Sequence, residues 1–305
     1  MSLLTNKTVI VIAGPTASGK TAIAIEVAKK FGTSIISADS RQCYKELNIG
    51  VARPTEQELE EVTHYFIASH SIQDEITAAD FEKYALEKAN ELFKTNDIIV
   101  MAGGTGLYIK AFCEGLDIIP EVDKDIRNKI IENYGRSGIE WLQKEIQQKD
   151  PVFFEKGEIK NPQRMMRALE VIESTGESIL HFRKGKKTQR DFNIIKIGLD
   201  ISKEELHLRI NNRVDKMIQA GLEEEAKKLF PFKHLNALQT VGYNELFDHF
   251  ENKISFSEAI ELIKKNTRQY AKRQMTWFKK DNEMHWVPAS NNGEIVSRIE
   301  HIINK

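Results

Sequence analysis

Residues 14–21 read Gly-Pro-Thr-Ala-Ser-Gly-Lys-Thr and fit the pattern G-x-x-x-x-G-K-[ST], which binds phosphate groups. Backbone N–H groups of such a loop surround a phosphate, and the dipole of the helix that follows adds partial positive charge. Lys20 is expected to reach the outer phosphate, and Thr21 to ligate Mg²⁺. The predicted phosphate-binding residues are Gly14, Pro15, Thr16, Ala17, Ser18, Gly19, Lys20 and Thr21.

An aspartate and a glycine-rich turn follow two other predicted strands. Asp39 comes directly after residues 34–38 and could accept a proton or hold a metal ion, although an N-cap of a following helix also explains it. Gly103-Gly104-Thr105-Gly106 follows residues 97–102, and its glycines allow either close approach to a ligand or a plain turn. Carboxyl ends of parallel strands meet at one sheet edge, so these segments can share a site with the phosphate loop.

Three basic segments could bind a polyanion, and each has a simpler explanation. Arg164 and Arg167 share one face of a predicted helix, as do Arg209 and Arg213 of a later helix. Arg164 and Arg167 are either solvated or functional, whereas Arg209 and Arg213 form either a surface ion-pair face or a source of positive charge for a pyrophosphate leaving group. Residues 262–280 carry seven Lys or Arg, no acid and three aromatics, which suits RNA contacts or a basic helix with a buried aromatic side.

Alternating strand and helix patterns position these residues. The predicted strands are 8–13, 34–38, 97–102 and 193–199, and the predicted helices include 21–30, 77–94, 162–174 and a helix opening at 207 and ending near 221. Strand–helix–strand order predicts an α/β fold with a doubly wound parallel sheet, like that of the P-loop NTPases. Helices are expected to fill the chain after the last of these strands.

The chain changes character near Pro120, where highly charged helical segments begin. We expect a catalytic core with the phosphate loop at 1–122 and 192–305, and a helical insertion at 123–191. Residues 181–190, within the insertion, are expected to form a basic loop.

Composition narrows the possible partners. The 305 residues are 41% apolar and 29% charged, which is an ordinary globular balance, and the net charge of −1 gives no overall attraction to nucleic acid. Cys43 and Cys113 are too few for a disulfide framework and lack metal-ligand spacing, and no segment is long enough to span a membrane. We therefore expect a cytoplasmic protein that binds polyanions through local clusters, without a zinc site.

Together these segments resemble the bacterial tRNA dimethylallyltransferase family, also called isopentenylpyrophosphate transferases. The motifs that carry the resemblance are GPTASGKT at 14, DSRQCY at 39, GVARP at 50, GGTGLYIKA at 103, NPQRMMRALEV at 161, the stretch 209–222 and TRQYAKRQMTWF at 267. They span nearly the whole chain. The chain departs from the common family pattern at Val51, Arg53 and Tyr65.

The resemblance implies transfer of a dimethylallyl group from dimethylallyl pyrophosphate to N6 of adenosine at position 37 of tRNA, next to the anticodon. Asp39 would orient the adenine amine or accept its proton, and Thr105 would hold the adenosine nearby. Lys20, Arg213 and Mg²⁺ on Thr21 would stabilise the pyrophosphate leaving group. The residues that would contact the anticodon stem-loop are Asp39, Ser40, Arg41, Gln42, Thr105, Arg127, Gln163, Arg164, Met165, Met166 and Arg167. The insertion would be a swivelling, tRNA-contacting subdomain.

Two other functions use the same phosphate loop. A small-molecule or nucleotide kinase would bind ATP there, and a non-catalytic RNA-binding protein would bind without transfer. Whether ATP occupies the loop is left open, and we expect a monomer because nothing in the sequence demands more.

Overall fold

The computed structural model describes residues 7–289 and 292–303. Within them one six-stranded sheet has the order β3-β2-β4-β1-β5-β6, and every neighbouring pair is parallel. The strands are β1 Thr8–Ala13, β2 Ile35–Ser37, β3 His64–Tyr65, β4 Ile98–Gly103, β5 Asn193–Asp200 and β6 Met284–Pro288. The predicted α/β fold with a parallel sheet is confirmed.

Helices cover both faces of this sheet, which is why its central strands are apolar throughout. Every residue of β1 is buried; Val9 and Val11 pack into the core on one face, whereas Ile10 and Ile12 pack into the core on the other. The helices are α1 Lys20–Lys30, α2 Glu56–Glu61, α3 Ala78–Leu92, α4 Gly106–Glu114, α5 Lys124–Lys149, α6 Pro151–Lys156, α7 Pro162–Thr175, α8 Ile179–Phe182, α9 Lys203–Gln219, α10 Leu222–Leu229, α11 Tyr243–Phe250, α12 Phe256–Phe278 and α13 Asn292–Ile303.

Local capping sequences fix the ends of the predicted helices. Thr77 and Asp80 form a capping box that starts α3, because each side chain accepts from the backbone N–H of the other. Asn161 caps α7 with Pro162 in its first turn, and Gly176 ends this helix with a φ of 76°. These helix boundaries are close to those that the sequence predicts.

The expectation that only helices follow β5 is wrong, because β6 extends the sheet at its edge. Residues 284–288 pair in parallel with β5, from Lys196–Met284 to Asp200–Pro288. This strand is short and ends in proline, so its own pattern is weak, and pairing with β5 is what defines it. The short β3 was not predicted either, for the same reason.

Contacts divide the chain into two compact units, and each is described by itself. Unit 1 comprises residues 1–114 and 189–305 and contains the sheet, whereas unit 2 comprises residues 115–188 and contains α5–α8. Unit 2 has its own apolar core, which includes Leu142, Phe153 and Leu169. Its longest helix, α5, is interrupted at Gly138, where φ is 69°. None of the helices within the described residues is long and apolar enough to cross a membrane.

Candidate active site

The phosphate loop, residues 14–21, joins the end of β1 to the first turn of α1, as the sequence predicts. Gly19 has a φ of 92°, a left-handed conformation that glycine adopts without strain. Lys20 begins α1, and its Nζ donates to the Pro15 carbonyl at 2.6 Å. Burial, followed by the charge of Arg213, lowers the pKa of Lys20 to about 7. An anion in the cavity would favour the protonated amine, so this lysine suits a phosphate ligand.

Strand order brings the three predicted loops together. β2, β4 and β1 are consecutive in the sheet, although they are not consecutive in the chain. Asp39 follows β2, Thr105 follows the adjacent β4, and the phosphate loop follows β1 on the other side of β4. The Thr105 N–H donates to the Ala38 carbonyl at 3.1 Å, which ties the first two loops directly.

The glycines after β4 allow close approach between protein segments. A Cβ on Gly103 would lie 2.2 Å from the Ala38 carbonyl oxygen, and one on Gly106 would lie 2.3 Å from the Trp277 indole. The space that each missing side chain leaves is thus filled by protein rather than by a ligand. These glycines are needed for the loops to meet.

The two carboxylate oxygens of Asp39 have different surroundings. Its Oδ1 accepts from the N–H groups of Arg41 at 2.9 Å and Gln42 at 3.2 Å, so it caps a turn. No helix begins there, and the expected helix N-cap is replaced by this tighter turn. Within residues 7–289 and 292–303, Oδ2 accepts no hydrogen bond. The structural and chemical explanations of Asp39 are therefore compatible, because each uses a different oxygen.

Thr105 and Tyr270 adjoin this aspartate. The Thr105 hydroxyl accepts from the Ser40 N–H at 3.0 Å and donates to the Ser40 hydroxyl at 3.3 Å. Burial, followed by the charge of Asp39, raises the pKa of Tyr270 to about 12. The residue is 37% exposed and lines the cavity. The sequence marked Tyr270 only as one aromatic in a basic stretch.

The two arginines of α9 have different surroundings. Arg213 is half-buried in the wall of the cavity, and its guanidinium donates to the Thr16 hydroxyl at 3.0 Å. Among the described residues no carboxylate lies within ion-pair distance of it. Arg209, four residues earlier, pairs with Glu205 at 2.5 Å and donates to the Ser18 carbonyl at 3.4 Å. Both arginines thus contact the phosphate loop, but Arg209 is held in a surface ion pair, whereas Arg213 lines the cavity.

A network that the sequence did not predict shapes the loop at residues 49–54. Glu225 accepts from the N–H groups of Ile49 and Gly50, both at 2.9 Å, and from the Tyr243 hydroxyl at 2.6 Å. Arg53 donates to three carbonyls in the segment 44–47. Arg53, one of the departures from the family pattern, therefore stabilises this loop from within.

A cavity of about 470 Å³ in unit 1 is lined by residues of the phosphate loop, by Asp39 and by the loop at residues 50–55. Its wall includes Lys20, Asp39 and Arg213, and Gln42, which also donates to the carbonyls of residues 51 and 52. The apolar residues in its wall include Val214, Met217, Leu222, Val241 and Ile263. One cavity thus offers cations, a carboxylate and an apolar surface.

Three of the arginines predicted to contact tRNA, Arg127, Arg164 and Arg167, lie in unit 2. Arg127 and Arg167 both approach Glu170, with N–O distances of 4.0 and 3.1 Å, and Arg164 pairs with Glu158. Burial, followed by the positive charges of Arg164 and Arg167, lowers the pKa of Arg183, and the charge of Asp117 opposes this shift. Gln163 is exposed on the same helix, while Met165 and Met166 lie in the core of unit 2. Arg127, Arg164, Arg167 and Arg183 thus form a cationic group in unit 2, and two of them share the buried Glu170.

Comparisons with known proteins agree on one family. A sequence model of the family described as IPP transferase matches residues 42–281. The tRNA dimethylallyltransferase of Christiangramia forsetii is 49% identical over 96% of this chain and 97% of its own length. That of Cytophaga hutchinsonii is 44% identical over 97% of each chain.

Solved structures give the same result. The tRNA isopentenylpyrophosphate transferase of Bacillus halodurans superposes with a TM-score of 0.72 at 32% identity, covering 98% of this chain and 96% of the other. A eukaryotic dimethylallyltransferase acting on tRNA gives a TM-score of 0.76 at 25% identity, over 93% of this chain and 74% of the other.

Proposed function

The chain belongs to the IPP transferase family, and we propose on that premise that it transfers a dimethylallyl group from dimethylallyl pyrophosphate to N6 of adenosine 37 in tRNA. The products are N6-dimethylallyladenosine and pyrophosphate. The observation that carries this proposal is the single cavity whose wall includes the phosphate loop, Asp39 and several apolar side chains. A diphosphate ester with a hydrocarbon chain needs both kinds of surface.

The reacting groups follow from the hydrogen bonds of the site. Nitrogen N6 attacks the first carbon of the dimethylallyl group, the bond from that carbon to the pyrophosphate oxygen breaks, and the N6 proton passes to Asp39. Oδ2 is the oxygen for this step because Oδ1 already accepts two N–H groups. Thr105 and Tyr270 would position the adenosine, which has to leave its stack to enter the cavity. Lys20 and Arg213 would stabilise negative charge on the departing pyrophosphate.

The residues at the loop also fit Mg²⁺. Thr21 borders the cavity, and no group of three or more His, Cys, Asp or Glu able to hold a metal occurs within the described residues. Mg²⁺ usually takes one or two protein oxygens and completes its shell with phosphate and water oxygens, so Thr21 would hold it beside the substrate. When bound, the ion would neutralise charge on the pyrophosphate.

We expect Thr21→Ala to lower turnover strongly while tRNA affinity stays nearly unchanged, because the hydroxyl serves only the metal and the pyrophosphate. Thr21→Ser, which keeps the hydroxyl, is the matched control and should retain most of the activity. Steady-state transfer assays over a range of Mg²⁺ concentrations measure the effect. Full activity of wild type in excess EDTA would contradict the assignment.

The cationic group of unit 2 and the basic helix α12 are the proposed surfaces for the anticodon stem-loop. In unit 2, RNA can contact the exposed side chains of Gln163 and Arg164 and the half-buried Arg167. Met165 and Met166 instead pack into the core of this unit. Ser40, Arg41 and Gln42 adjoin Asp39 and would contact the nucleotides next to the reacting base.

A tRNA substrate also implies a cytoplasmic location, and we propose a monomer.

Arg164→Ala and Arg167→Ala should each weaken stem-loop binding. If each arginine neutralises one phosphate, the slope of log affinity against log salt should become shallower by roughly 0.7 to 0.9 for each variant. Lys156→Ala, which removes an exposed lysine at the end of α6, serves as a control of equal charge. A slope unchanged in both arginine variants would exclude this surface.

Transfer of label decides between this function and the alternatives. Purified protein is incubated with dimethylallyl pyrophosphate labelled in the dimethylallyl group and with unmodified tRNA. Label in the RNA, at the adenosine next to the anticodon, is the expected result. ATP consumption with a small acceptor would instead support a kinase, which the family match does not favour, and RNA binding without label would support a non-catalytic protein.

A further inference from the structure

One buried side chain joins two loops of the site without belonging to either. Gln274, in α12, accepts a hydrogen bond at its Oε1 from the Thr16 N–H at 2.8 Å. Its Nε2 donates to the Gly104 carbonyl at 2.9 Å. The residue is 7% exposed, so both bonds are largely shielded from water. The amide thus connects the phosphate loop to the turn after β4.

The fit of this amide depends on a missing side chain. A Cβ on Gly104 would lie 2.3 Å from Nε2 of Gln274 and 3.7 Å from the Gly14 carbonyl oxygen. The amide therefore occupies space that any other residue at position 104 would fill. Gly104 and Gln274 therefore depend on each other, because the missing side chain at Gly104 leaves room for the amide and the amide links the two loops.

The phosphate loop needs restraint at this point. Ala17, next to Thr16, has a φ of 64°, a left-handed conformation that costs a non-glycine residue free energy and persists only where the surroundings enforce it. Gln274 fixes the N–H of Thr16, and Arg213 fixes its hydroxyl. Thr16 is thus held from both sides by helices far away in the sequence.

Building on the proposed function, we propose that Gln274 is a positioning residue that holds the phosphate loop in the conformation that receives pyrophosphate. Donors fixed before the ligand arrives do not have to be reorganised when it binds. The residue acts through Thr16 and Gly104 and does not touch the reacting atoms. Tyr270, one turn earlier on α12, lines the same cavity, so this helix contributes to the cavity wall as well as to the conformation of the phosphate loop.

The test measures binding of inorganic pyrophosphate with Mg²⁺ by calorimetry. Gln274→Met keeps the length of the side chain and removes both hydrogen bonds, and we expect pyrophosphate affinity to fall about tenfold or more. Gln219→Met, the same change at an exposed residue at the end of α9, should bind like wild type. An affinity of folded Gln274→Met within about twofold of wild type would overturn the proposal, even if its melting temperature falls.

A second variant separates the two bonds and serves if Gln274→Met does not fold. Gln274→Glu keeps the acceptor for Thr16, but when ionised it loses the donor to Gly104. It should bind pyrophosphate more weakly than wild type at alkaline pH, and this deficit should narrow on acidification because a protonated carboxyl group donates again. A folded Gln274→Glu equal to wild type at alkaline pH would overturn the proposal.

Neither assay involves transfer to RNA. A wild-type protein that binds pyrophosphate but transfers no label would contradict the proposed function and leave the role of Gln274 to be decided by the binding measurements alone.

Discussion

Asp39→Asn is expected to lower the single-turnover rate of transfer by about 10²–10⁴-fold, the usual contribution of a general base. Asparagine keeps the shape of the side chain and an oxygen that can accept from the N–H groups of Arg41 and Gln42. What it loses is the basicity of the second oxygen, which is the atom assigned to the N6 proton. The turn should therefore survive while the chemistry fails.

The measurement uses saturating tRNA and dimethylallyl pyrophosphate, so that neither binding step limits the rate. The melting temperature and pyrophosphate affinity of Asp39→Asn should stay close to wild type, because asparagine replaces aspartate well as a cap. Ser40→Ala is a useful comparison, since it removes a hydroxyl that contacts Thr105 but leaves the carboxylate intact. A near-wild-type rate for Asp39→Asn would reduce this residue to its structural role.

Arg213→Met is expected to lower the transfer rate by about 10²–10³-fold, the range seen when one group that stabilises transition-state charge is removed. Arg213 is half-buried beside Lys20 and the phosphate loop, where burial has already lowered its pKa. Its loss would be partly offset, since the charge of Arg213 is one cause of the lowered pKa of Lys20. Lys20 should therefore be protonated more fully in the variant.

Arg209→Met is the matched comparison, one turn earlier on α9. Arg209 pairs with Glu205 in a partly exposed position, where such pairs contribute little, and its hydrogen bond to the Ser18 carbonyl is long, at 3.4 Å. We expect a far smaller loss of transfer rate than for Arg213→Met, measured in the same single-turnover assay. Equal losses in the two variants would mean that the transfer rate depends on the total positive charge of α9 and not on the position of Arg213 in the cavity.

The sequence by itself determined the parts of this protein that depend on neighbouring residues. The phosphate loop between β1 and α1, the capping box of α3 and the start of α7 at Asn161 all depend on groups a few positions apart. The apolar strands predicted the parallel sheet, and the ordered motifs predicted the family. Local hydrogen bonds and side-chain periodicity suffice for such features, because they require no knowledge of what the chain meets later.

Only the tertiary structure decided which distant groups complete the site. Helical spacing places Arg209 and Arg213 on one face and does not distinguish between them. Only Arg213 lines the cavity, where it contacts Thr16, which is 197 positions away in the chain. Gln274 meets Thr16 across 258 positions, and Glu225 caps the N–H of Ile49 across 176. β6 was missed because a short edge strand is defined by its partner. Such contacts follow from how helices pack on the completed sheet, so residue type and local spacing do not reveal them.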